Sequence, residues 1–165
     1  MFPHKNALVA LFFLVVPGCG NSSTPQPDGA DSGQSGYCTS DPSAKAFHVG
    51  MSDTGANGYV FELVDATPIL PAQGVSDGNS WTLKISNASG PVDGGTLSAK
   101  CLMVMPGGAP SHGCAGGDPH VAPLGNGEYQ VSRIFFNMPG HWDMKFSIED
   151  GSTTDAATIG TCIDQ

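Results

Sequence analysis

The sequence predicts an all-β fold, an antiparallel β-sandwich that follows a signal peptide and a flexible linker. Three observations carry this expectation. The 165 residues include 23 Gly and 13 Pro, both poor residues for a helix interior. Beyond residue 36, apolar and polar residues alternate with period two in several short runs, as half-buried strands do. Clusters of Gly, Asn, Asp and Ser separate those runs, and no window carries a convincing amphipathic helix.

The chain opens with Lys5 and a ten-residue apolar run over residues 7–16, followed at once by Pro17, Gly18 and Cys19. A span of the bilayer needs about 20 apolar residues, so this run has the length of an export signal rather than a membrane helix. Val16 and Gly18 before Cys19 fit the cleavage context of a bacterial lipoprotein, with Pro17 an unusual residue in it. Residues 1–18 are therefore expected to be a lipoprotein signal peptide and Cys19 the lipidated residue. The protein is then expected in the bacterial cell envelope, tethered to a membrane through its N-terminal lipid and facing the periplasm or the exterior. Residues 19–36 contain no large apolar side chain and cannot bury enough surface to offset the entropy of ordering. As a random coil this linker would hold the domain on the order of 20 Å from the lipid surface.

Residues 37–165 form the expected domain. Strands are predicted over residues 59–64, 97–105, 128–137 and 158–162, and in two alternating rows. Trp81, Leu83 and Ile85 oppose Thr82, Lys84 and Ser86; Trp142, Met144, Phe146 and Ile148 oppose Asp143, Lys145, Ser147 and Glu149. Each row is headed by a tryptophan, so Trp81 and Trp142 should both point into the core. Turns are predicted at residues 76–79, 93–95 and 125–127. Short strands with regular turn signals over a domain of about this size fit an immunoglobulin-like sandwich.

If Cys19 carries lipid, Cys38, Cys101, Cys114 and Cys162 remain, an even set that reads as two disulfides in an exported chain. Three connectivities are open. Pairing Cys38 with Cys162, which bracket the domain, and Cys101 with Cys114, which flank a Gly-rich loop, is the sterically natural one. No CxxC spacing supports a thiol redox pair or a zinc knuckle.

The net charge of −9 argues against nucleic acid as a partner, because that needs a basic footprint. No enzyme is expected either. The chain has no GxSxG elbow, phosphate-binding loop, HExxH or dinucleotide fingerprint. The chemistry that stands out is sulfur and imidazole. Met103 and Met105 fall at a strand end, His112 and His120 in the loop expected after it, and Met138 and His141 flank the turn at Pro139-Gly140. Thioether with imidazole suits copper, Cu(I) above all, in a compartment where thiols are oxidised. The ordinary reading of the same residues is core packing for Met103, Met105 and Met144, and solvated surface for the three histidines.

Four segments together resemble the YtkA-like domain family, relatives of FixH-type domains. They are Met105-Pro106, Ser111-His112-Gly113, the run from Gly125 to Tyr129, and Met138-Pro139-Gly140-His141-Trp142. The resemblance spans about residues 55–150. It implies an immunoglobulin-like β-sandwich and, for some relatives, copper handling near respiratory oxidases. Where such relatives carry a tight Met/His cluster after the strand, this chain has Gly107-Gly108-Ala109-Pro110 before His112, and Cys114 beyond it.

Two functions compete. One is a lipid-anchored copper-binding protein using His112 and Met138 first, then His120, His141 and Met105, at the loop end of the sandwich. The other is a metal-free interaction or structural module that docks a protein partner in the cell envelope. The feature that separates them is spatial, namely whether at least three of the five candidate ligands approach one point.

Overall fold

The computed structural model describes Cys38, residues 44–105 and residues 111–163. The expected signal peptide, Cys19 and the linker lie outside the described residues, as does Pro106. Among the described residues there are ten strands and no helix. They are β1 (Ser52–Thr54), β2 (Val60–Thr67), β3 (Asn79–Asn87), β4 (Gly90–Pro91), β5 (Thr96–Met103), β6 (His112–Gly113), β7 (His120–Gly125), β8 (Glu128–Ile134), β9 (Gly140–Asp150) and β10 (Thr153–Ile163). Two antiparallel sheets result. One runs β1-β2-β3-β8-β7 with β4 beside β3, and the other runs β10-β9-β5-β6.

Alternation decides which side chains fill the space between the sheets. On β9, Trp142, Met144, Phe146 and Ile148 are buried while Lys145 and Glu149 are exposed. On β3, Trp81, Leu83 and Ile85 face them from the other sheet, joined by Phe61 and Leu63 of β2 and Tyr129 and Val131 of β8. Both tryptophans are inside as the alternation requires, with Trp142 wholly buried and Trp81 nearly so. Phe136 lies between them in the core, against each ring in turn.

The strands missed in the sequence are the short or edge ones. His120 was expected in a loop but begins β7, an edge strand whose Pro123 is tolerated because an edge need not donate on its open side. His112 likewise lies on an edge, in the two-residue β6. The Asn126-Gly127 turn joins β7 to β8 with both residues at positive φ, the backbone of a tight hairpin. A Cβ at Gly127 would also sit 2.6 Å from the Ile85 carbonyl oxygen. The strand expected over residues 128–137 stops at Ile134, just after Arg133 turns to a φ of 60°.

Two disulfides close the fold, Cys38–Cys162 and Cys101–Cys114. Such bonds persist in oxidising compartments, so the protein is extracytoplasmic. Cys38 anchors the segment that precedes the sandwich. This segment runs beside the end of β10, where Cys162 donates its N–H to the Lys45 carbonyl at 2.8 Å. At the opposite end of β10, buried Asp155 clamps the β1–β2 turn. Its Oδ2 accepts the N–H groups of Asn57 and Tyr59, both at 3.0 Å, and its Oδ1 accepts that of Ala156 at 2.9 Å. Burial pushes this carboxyl up, but backbone donors from Tyr59, Asn57, Ala156 and Ala56 outweigh it and leave the pKa below its ordinary value.

Candidate functional site

The end of the sandwich where β5 finishes gathers most of the sulfur. Met103 is the last residue of β5, flanked in register by Trp142 of β9 on one side and His112 of β6 on the other. Directly opposed residues of an antiparallel pair share a face with Cβ atoms about 5 Å apart, so His112 stands beside Met103 on the inward side of the sheet edge. The Cys101–Cys114 disulfide fixes this arrangement, for Cys101 lies two residues before Met103 on β5 and Cys114 two residues after His112, just past the end of β6. Met103 is buried and His112 exposed, so the pair bridges core and solvent.

Met105 continues the inward row two residues beyond Met103 and packs, half-buried, against the core. Between them Val104 donates its N–H to the His141 carbonyl at 2.8 Å, which carries the β5–β9 pairing past the formal strand end. Gly140 has a φ of 143°, and a Cβ there would stand 2.6 Å from the Met103 Cε, so the thioether of Met103 lies against a bare backbone. Met138, 36% exposed, occupies the same turn, and its carbonyl accepts the Trp142 indole N–H at 3.0 Å. Met103, Met105, His112 and Met138 are thus linked through adjoining backbone at one end of the sandwich.

His120 and His141 do not join them. His120 precedes Val121, which packs inward, so its own side chain faces outward from the β7–β8 sheet. His141 precedes inward Trp142 and faces outward from the other sheet. A candidate ligand whose ordinary reading was a solvated surface residue, it is buried instead, beside its register partner Cys162. Its Nε2 lies 3.3 Å from Oδ1 of Asp143, the next outward residue of β9. Gly160 makes room for that contact, since a Cβ there would come within 3.0 Å of the same nitrogen.

Among the described residues no three His, Cys, Asp or Glu side chains cluster in a way that could hold a metal. Thioethers are outside that count, and the donors gathered at the β5 end are mostly thioethers. Soft sulfur with a single imidazole fits Cu(I) and fits poorly the hard cations that need carboxylates. Met103 was read from the sequence as core. Its burial agrees with that, and only the register with His112 reveals its second neighbour.

A solved structure, that of FetP from uropathogenic Escherichia coli strain F11, expressed in the periplasm of E. coli, is 13% identical to this chain. The similarity covers 73% of this chain and 97% of that one, with a TM-score of 0.41. No curated protein matches the chain. The YtkA-like family model matches residues 53–147, from β1 into β9 and across every element that builds the β5 end. With more than half of its length matched, the chain belongs to the YtkA-like family.

Proposed function

We propose that this extracytoplasmic β-sandwich is a lipid-anchored protein that binds copper and passes it on without chemical turnover. His112, Met138 and Met105 are the ligands in this reading, and Met103 lies behind them. The observation that supports it is the register pairing of Met103 with His112 beside the Cys101–Cys114 disulfide, with Met105 two residues beyond and Met138 on the turn whose carbonyl holds the Trp142 indole. These groups need no deprotonated thiol, which the disulfides have removed, and they favour the soft ion. The acidic net charge of −9 favours approach of a cation. The anchor rests on Cys19 following an apolar run, and Cys19→Ser should release the protein from the membrane fraction.

The experiment for copper is anaerobic Cu(I) titration of the full-length protein against a competing chelator, beside a His112→Ala, Met138→Ala double variant. The reading expects the variant to lose most of the affinity. Equal affinity in the two proteins excludes this site.

A second reading has one observation of its own. Ile69 and Leu70, in the loop between β2 and β3, are 65% and 67% exposed. Such side chains would serve a protein partner in the cell envelope, with or without metal. Failure of the parent protein to bind Cu(I) favours this metal-free interaction module.

A further inference from the structure

The chain has only six Lys and Arg against fifteen Asp and Glu. Three of the six, Lys45, Lys100 and Lys145, line two adjoining cavities that share Asp53 and Thr158, the one with Lys100 and Lys145 on the outer side of the four-stranded sheet and the one with Lys45 along its β10 edge. In the larger cavity, of about 440 Å³, Lys100 of β5 and Lys145 of β9 are direct register partners. Like charges opposed across a strand pair repel, so this arrangement costs stability. Among the described residues neither lysine is in an ion pair. Of the carboxylates near this face, Glu149 is exposed one row beyond Ser147, and two others are otherwise engaged. Asp53 accepts the N–H groups of Thr158 at 2.8 Å and Thr54 at 2.9 Å, one on each oxygen, and Asp143 is turned to His141. The next register row, Ser98 with Ser147, adds hydroxyls to the same wall.

We infer that this cavity binds a dianionic phosphate group, with Lys100 and Lys145 as its counter-charges and Ser98 and Ser147 as further donors. Two ammonium groups at cross-strand spacing present two point charges to one anion, and a phosphate monoester carries about −1.5 to −2 at neutral pH. A single carboxylate would leave one lysine uncompensated. The same chemistry is offered by free phosphate and by the headgroup of phosphatidic acid. The site is on a sheet face, away from the sulfur-rich end, and is independent of copper.

The test is thermal unfolding of the full-length protein in detergent, titrated with inorganic phosphate at ionic strength held constant with sodium chloride. The midpoint should rise saturably with phosphate. Lys100→Gln and Lys145→Gln should each weaken that response by about tenfold or more, the loss of one charge-assisted contact. Without phosphate both variants should unfold at the same or a higher temperature than the parent, since the repulsion is relieved. Lys84→Gln, on the other sheet, should keep the full response. Short-chain phosphatidic acid distinguishes the sources. A tighter response to it than to inorganic phosphate assigns the site to a headgroup, and an equal or weaker one assigns it to free phosphate. No saturable response in the parent overturns the proposal, as does a response that Lys100→Gln and Lys84→Gln retain equally.

Discussion

Met103 and His112 are direct cross-strand partners, and the Cys101–Cys114 disulfide closes the same hairpin one inward position away. A buried thioether at the end of β5 and an exposed imidazole on a two-residue edge strand are thereby held side by side, and that edge strand is too short to hold its register by backbone pairing alone. Replacing Cys101 and Cys114 together by Ser should cost about 3 kcal/mol, as expected for a short closed loop. It should also weaken Cu(I) binding although no ligand has been removed. Chelator competition on the reduced-stability variant, at a temperature where it is folded, checks this.

Gly140 occupies a backbone region that side chains rarely enter, against the Met103 methyl group. Gly140→Ala should destabilise by about 1–3 kcal/mol through backbone strain. Met103 can swing away from the new methyl, so the packing part of the cost is small. Urea unfolding gives the stability, and a shift of the Met103 methyl resonance reports the displacement.

Trp142 is fully buried between Phe136 and the rest of the β9 row. Trp142→Ala should cost about 3–5 kcal/mol, the usual range for deleting a large buried aromatic. It also removes the indole donor from the Met138 carbonyl and should free that turn. Denaturant titration measures the first effect, and loss of Met138 from the Cu(I) ligand set would report the second.

The long buried rows were legible in the sequence because alternation repeats several times in each. Met144 could be assigned to the core from the row Trp142 to Ile148 alone. Strands β6 and β7 were not legible, since one has two residues and the other carries Pro123 and ends in Gly. The site divides in the same way. His112, in the loop after Met105, and Met138, beside the turn before Trp142, were recognisable as imidazole and sulfur expected at one loop end of the sandwich. Which way His120 and His141 face depends on their parity with Val121 and Trp142, and β7 had first to be recognised as a strand. The burial of His141 comes with its register partner Cys162, to which the Lys45–Ala46 segment is joined, a pairing distant in sequence that no local pattern announces.

Asp155 is a folded-state acid whose pKa is held below its ordinary value of 3.8. A carboxyl depressed by folding contributes stability that is present above the unfolded pKa and is lost as pH falls through the folded one. Asp155→Asn should therefore cost about 2 kcal/mol at neutral pH, from weakened bonds to a charged acceptor. The difference from the parent should shrink once the pH drops below about 3.8 and vanish below the folded value. Urea unfolding of both proteins across that window checks the sign.

X-ray absorption at the copper edge of the Cu(I)-loaded, full-length protein tests the central claim most directly. The account predicts a first shell dominated by sulfur scatterers with a single imidazole, the imidazole signal disappearing in His112→Ala and the sulfur signal falling in Met138→Ala. A shell of nitrogen and oxygen only, or one unchanged by both substitutions, would contradict it.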